Sequence, residues 1–313
     1  MALRKHQKRT LIQRLKRFLI VILVFLIMSF TYSMGIATYE NIKVNKIVND
    51  FKSRSVYEFE ETIEYYPGVF QTRVYHKVSR ETSYELNDTR SIFTDESRRL
   101  IGQKGDIFLS QQSPFPGVPI IHPWISYNFG GHAAIHNGNN RFIEAVGFPQ
   151  PGETILDFIF HPGDEPHNFS ATVSVTSSNY WLNPNFRSES SSSYKYYGNY
   201  YRPEFIGIRV KNVTQEQIDG AVAYADDKVD ISLYNFTFAL DLEYKFYCTD
   251  LISRAYQSVL IEPENQRNYA RALNDDRFIT SVNDMIMSED VYLAFYVEII
   301  DEVVHIYYLE DVN

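Results

Sequence analysis

The amino-acid sequence predicts an α+β domain, with helices packed on a mostly antiparallel sheet, preceded by one N-terminal transmembrane helix. Three observations carry that reading. A basic N-terminal flank runs directly into a charge-free apolar stretch. β-prone runs recur at 69–78, 105–110, 130–147, 205–210 and 291–308. Two helical patterns follow one another between the last two of those runs.

Residues 1–17 hold seven Lys or Arg and no acid, and Phe18 to Tyr39 carry no charge. Those 22 residues form a helix of about 33 Å, enough to cross the ~30 Å hydrocarbon core of a bilayer. The positive-inside bias makes 1–17 a cytoplasmic basic flank and 18–39 a membrane-spanning signal-anchor, with the rest of the chain outside. A cleaved signal peptide is the competing reading. The strongly apolar part is only Phe18 to Met28, and Gly35-Ile36-Ala37 has the small residues of a cleavage site, in which case the domain is secreted.

Beyond the flank, 23 Lys or Arg face 39 Asp or Glu, a formal charge of −16. No cluster of cations lies there to displace phosphate counterions, so nucleic acid is excluded as a partner. The single cysteine cannot close an internal disulfide, and no His/Cys/Asp/Glu group has metal-ligand spacing. Neither a metal nor a cofactor is implied.

Residues 40–95 read as a stalk or accessory segment, with a short helix through Ile42, Ile47, Val48 and Phe51 and a strand from Val69 to Val78. "GDIFLS" (105–110) is a short strand, with Asp106 ordering the turn that opens it. "GGHAAIHNGNNRFIEAVG" (130–147) reads as a hairpin about Asn137-Gly138-Asn139-Asn140, whose residues tolerate positive φ. From 150 to 203 the sequence loosens around "SESSSSYKYYGNYY" and is expected to be an inserted loop, with tyrosines exposed or available to stack on a ligand. "FIGIRV" is a strand. The helix after it is marked by a capping box (Thr214, Gln217) and a hydrophobic staple (Val213, Ile218). Val291 to Ile300 and Val303 to Tyr308 are paired strands about Asp301-Glu302.

The chemistry-bearing stretch is "YKFYCTDLISRAY" (244–256). Leu251, Ile252, Ala255 and Val259 recur at helical spacing and Pro263 marks the stop, so Cys248 falls in the first turn of a helix. Free backbone N–H groups and the helix dipole at such an end favour thiolate over thiol and can donate to an oxyanion. A buried, inert cysteine is the alternative. A nucleophile also needs a base with an orienting partner. With an odd hairpin loop, His132 and Glu144 are expected directly opposite one another on one face, where the carboxylate can fix the imidazole tautomer. An even loop would separate them. His122, two residues before Trp124, and His136, beside the turn, are expected in loops, although His136 shares the parity of His132 and remains the fallback base.

"GDIFLS", "GGHAAI", "RFIEA", "YNFTF" and "YCTDLISRAY", in this order, resemble the circularly permuted papain-like branch of the NlpC/P60 superfamily. That branch comprises YiiX/YycO-like cell-wall hydrolase relatives together with lecithin:retinol acyltransferase-type enzymes. The resemblance spans about residues 96–310 and includes the histidine-before-cysteine order. It implies a permuted papain-like fold for a thiol hydrolase domain at 96–313, with Cys248 as nucleophile, His132 as general base and Glu144 as the third, orienting group. Thr249 stands where the family often has Ser, and the 150–203 insertion leaves the cleft unassigned. The expected activity is cleavage of an amide bond in a cell-wall peptide through an acyl-thioester. The alternatives are a lipid-directed acyltransferase or thioesterase, or a surface-binding protein without catalysis.

Overall fold

The computed structural model describes residues 11–163, 165–238, 240, 243–266, 272–274 and 279–312. In chain order the elements are α1 (Leu11–Ser53), β1 (Ser55–Tyr66), β2 (Val69–Val78), α2 (Ser83–Asn87), β3 (Ile107–Ser110), α3 (Ile121–Asn128), β4 (His132–His136), β5 (Phe142–Ala145), α4 (Ile155–Phe160), β6 (Val173–Val175), α5 (Tyr194–Tyr197), β7 (Glu204–Val210), α6 (Gln215–Asp226), β8 (Leu233–Tyr234), β9 (Lys245–Phe246), α7 (Cys248–Leu260), α8 (Val282–Met287), β10 (Val291–Ile300) and β11 (Val303–Leu309).

Nine strands form one sheet in the order β1-β2-β11-β10-β7-β3-β4-β5-β6. Every neighbouring pair is antiparallel except β2 with β11. The chain is therefore α+β, with an antiparallel-rich sheet. Asp301 and Glu302 both take positive φ, 49° and 67°, and close β10 onto β11 with the handedness that hairpin strands require. The Thr214–Gln217 capping box is present, each side chain meeting the other residue's backbone N–H.

Strand alternation divides the core in two. Ile107, Leu109, Ala133, Ile135 and Ile143 face one side, where Leu251, Ile252 and Ala255 of α7 and Ala221, Val222 and Ala225 of α6 cover them. Phe108, Ala134, Phe142, Phe205 and Phe295 face the other, packed with Trp181, Tyr75 and Tyr308. That second face is closed by irregular chain, chiefly the 91–101 and 179–201 segments, rather than by helices.

Residues 40–95, expected as a stalk or accessory segment, are built into the domain. β1 and β2 extend the main sheet, with Ile306 beside Tyr75 and Tyr308 beside Lys77. Buried charge fastens the following segment: the Arg209 guanidinium donates to both oxygens of Asp106 (2.8 and 3.0 Å) and to the carbonyls of Arg90 and Ser91. Asp106 also accepts from the Gln103 N–H at 2.8 Å, the turn-ordering role its position suggests. Asp88, salt-bridged to Arg90 and Arg209, is held well below the usual carboxylate range; burial opposes this, but the two guanidiniums outweigh it.

The apolar span and the short helix expected after it are one continuous helix of 43 residues, about 65 Å long. It is long and apolar enough to cross a membrane or to serve as a signal sequence. Residues 11–32 project without burial, whereas Ala37, Glu40, Val44 and Phe51 are buried against the domain. Asn41 donates to the Tyr127 carbonyl (2.8 Å), Tyr127 to Thr38 (2.9 Å) and Lys52 to Glu298 (2.7 Å).

Candidate active site

β3 and β5 hold β4 in the interior of the sheet, and the Gly130-Gly131 pair lets the chain enter it. A Cβ on Gly131 would lie 1.7 Å from the Gln112 carbonyl oxygen, so only glycine fits where its N–H donates to Ser110. His132 is the first residue of β4, and its ring stands at the end of the sheet.

The hairpin register differs from the one expected. His136 pairs with Phe142 and Ile135 with Ile143, leaving the loop 137–141. This register sets Ala134, not His132, opposite Glu144. The odd loop length keeps both side chains on one face as diagonal neighbours, about 7–8 Å apart at the backbone, which a glutamate spans. His132 Nε2 lies 2.8 Å from Glu144 Oε2. The same carboxylate oxygen accepts the Tyr180 hydroxyl at 2.6 Å.

α7 packs on the opposite face and brings Cys248 to the His132 end of β4. Cys248 is the first helical residue, with Tyr247 as N-cap and no side chain capping the turn. Leu251 makes the first intrahelical bond to the Tyr247 carbonyl at 3.0 Å, so the preceding N–H groups have no acceptor within the helix. Cys248 lies close enough to the His132 ring to influence its ionisation, and the two residues share cavity walls. Because Nε2 faces Glu144, the nitrogen available to the sulfur is Nδ1. Burial opposes a charge on His132, yet Tyr201, Glu144 and the thiol, all negative when ionised, hold the imidazole well above its ordinary value. An imidazolium is thus favoured beside the sulfur.

The 150–203 segment, expected as an inserted loop, contributes β6 to the main sheet and aromatic side chains to the His132 site. Tyr180 and Trp181 come from it, and Trp181 stacks on the His132 ring at 6.1 Å and 19°. Tyr201 meets that ring edge-on at 6.0 Å. Tyr197 and Tyr200 are buried, with the Tyr197 hydroxyl donating to the Ser113 carbonyl at 2.6 Å. Sequence reasoning missed Tyr180, Trp181 and Tyr201 because no local period marks an aromatic as facing a residue some 50 positions away. It also underused Tyr234, which opens the quoted "YNFTF" run and lies close enough to Cys248 to interact electrostatically. A Cβ on Gly147 would come within 2.8 Å of the Tyr234 ring.

His136, the fallback base, sits in a different environment. It is buried between Phe108 and Phe142, its Nδ1 accepts from the Gly138 N–H (3.1 Å), its Nε2 has no partner, and burial pushes its pKa down to about 4. Neither histidine expected in a loop is in one: His122 lies in α3, and His136 is the last residue of β4.

Two adjoining cavities, of about 770 and 310 Å³, share Cys248, His132, Phe115 and Phe238 in their walls. The larger adds Phe148, Phe186 and Phe236, the smaller Trp124, Phe129 and Val282. Among the described residues, no group of three or more His, Cys, Asp or Glu side chains is placed to hold a metal ion. The arrangement sets a thiol at a helix N-terminus in the same cavity walls as an imidazole that is oriented by a carboxylate, itself fixed by a phenol. No family model, curated protein or solved structure matches this chain.

Proposed function

We propose that this chain is a membrane-tethered cysteine hydrolase that acts outside the cytoplasm through an acyl-thioester on Cys248. The observation that carries the proposal is that Cys248, at the start of α7, shares the walls of two cavities with a His132 ring whose Nε2 is held by the Glu144 carboxylate. In this reading His132 takes the thiol proton, Cys248 attacks the carbonyl carbon, and the imidazolium returns the proton to the departing amine. Water then attacks the thioester, with His132 as base, and releases the acid and the free thiol. Backbone N–H groups at the start of α7 supply one side of the oxyanion site. Tyr234, held protonated by burial and by the nearby sulfur, is the candidate donor on the other.

The resemblance to permuted papain-like cell-wall hydrolases favours an amide in a cell-wall peptide as the substrate. The buried contacts that continue α1 past Gly35-Ile36-Ala37 into the domain favour an uncut anchor, with the basic flank in the cytoplasm. A lipid-directed acyl transfer or thioester hydrolysis is the second reading, supported by the apolar walls of both cavities.

The chain has one cysteine, so every alkylation reports on Cys248. A free thiol is only about 0.3% ionised at pH 6, whereas a thiolate paired with His132 should react with iodoacetamide roughly 100-fold faster at that pH. Alkylation at the free-thiol rate, unchanged in His132→Ala, would remove the proposal. Incubation with muropeptides and, separately, phospholipids, followed by mass measurement of the intact protein, separates the two readings. Only a true substrate leaves its acyl mass on Cys248.

A further inference from the structure

α3 is positioned by the membrane helix rather than by the sheet. The Ser33 hydroxyl donates to Asn128 Oδ1 (3.2 Å), Asn128 Nδ2 approaches the Met34 sulfur (3.9 Å), and Tyr127 is bonded to both Thr38 and Asn41. These four α1 positions straddle the end of the uncharged stretch, which runs from Phe18 to Tyr39. A helix that begins its membrane crossing near Phe18 needs about 20 residues to traverse the hydrocarbon, so it leaves the bilayer at the residues that grip α3. All eight residues of α3 then lie within about 12 Å of that exit point.

The surface at that level is apolar and uncharged. Val118, Ile120, Ile121 and Trp124 are exposed at 40, 82, 48 and 42%. No Asp, Glu, Lys or Arg occurs between Ile107 and Asn140, in a region whose chain otherwise carries −16 beyond the flank. Ile120 also takes φ = 72°, a conformation costly for a β-branched residue, and this strained residue is the most exposed of the four. Water gives no compensation for holding it there. A bilayer interface does, since exposed aliphatic and Trp side chains partition to the headgroup–acyl boundary.

We infer that α3 and the turn before it lie in the bilayer interface, so that the smaller cavity, whose wall includes Trp124 and Ile125, opens at the membrane surface. The partner is a lipid bilayer, bound through Val118, Ile120, Ile121 and Trp124. This rests on α1 crossing the membrane, and not on the catalytic reading of Cys248.

The two tryptophans make the test direct, because Trp181 is fully buried and Trp124 is not. The full chain is reconstituted in phosphatidylcholine–phosphatidylglycerol vesicles with or without phosphatidylcholine brominated near the top of the acyl chain. Bromine should roughly halve the Trp124 emission, aqueous iodide should leave that component unquenched, and Trp124→Phe should abolish the bromine effect. In the otherwise wild-type chain, Ile120→Glu with Ile121→Glu should restore iodide access. Equal emission in both vesicle types, with iodide quenching in the wild type, would overturn the inference even if the variants failed to fold. Carbonate extraction separates the failures. A chain released by carbonate has no spanning helix, so the membrane anchor and this inference fall together; a retained chain whose Trp124 stays in water overturns only this inference.

Discussion

β4 carries a histidine at each end, four residues apart on one face of the same strand, and the two are driven in opposite directions. His132 meets a carboxylate, a phenol and a thiol, and its charged form is favoured. His136 meets Phe108 and Phe142, with one nitrogen unpartnered, and its charged form is suppressed. Identical side chains with identical strand parity thus acquire different chemistry from what crosses the sheet above them. At one end it is the Tyr180-Trp181 segment and the tip of α7; at the other it is a dry aromatic cluster.

The most severe way to test that contrast is to delete each ring in turn. His132→Ala should slow turnover of any acyl substrate by about 10³-fold or more, within the range for loss of a general base. His136→Ala should leave Cys248 alkylation near the wild-type rate while destabilising the fold. Comparable losses of reactivity in both variants would erase the distinction.

Acid titration of stability is the next test. Burial lowers His136 from 6.5 to about 4 in the folded chain, so protons prefer the unfolded state. Its contribution is fully present above about pH 6.5, shrinks as the pH falls and is lost by about pH 4. The difference is on the order of 3 kcal/mol. His136→Asn keeps an acceptor for the Gly138 N–H but removes the titration, so denaturant unfolding across this window should show a flatter pH dependence in the variant.

Smaller effects follow from the groups behind His132. Glu144→Gln keeps the size and an oxygen but removes the charge; turnover should fall by roughly 10- to 100-fold, with the fast alkylation at pH 6 reduced in parallel. Tyr180→Phe removes one hydrogen bond to that carboxylate and should cost a few-fold to about tenfold in turnover, consistent with the ~0.5–1.5 kcal/mol net contribution of a typical hydrogen bond. An unchanged rate in Tyr180→Phe would assign that hydroxyl to packing alone.

Much of the architecture was legible without coordinates, because its signals are local. Period-2 apolar runs mark β2, β7, β10 and β11, the Thr214–Gln217 box marks the start of α6, and the helical spacing after Cys248 fixes α7 at 13 residues. The charge-free stretch likewise announced the apolar helix. What misled was equally local. The charged, aromatic composition of 40–95 suggested a stalk or accessory segment, yet the partners that order it, β11 and Arg209, lie more than 100 residues downstream. The Ser/Tyr composition of 188–201 suggested exposure, yet Tyr197 and Tyr200 are buried.

The sequence by itself determined the alternation along β4 that puts His132 and His136 on one face, and the helix start that places Cys248 at a positive dipole end. Both follow from backbone periodicity, which needs only near neighbours. Tertiary structure alone decided the hairpin register, the meeting of α7 with the end of β4, and the closure of Tyr180, Trp181 and Tyr201 over the imidazole. Those depend on which distant surfaces exclude water together, and hydrophobic burial carries no directional code along the chain.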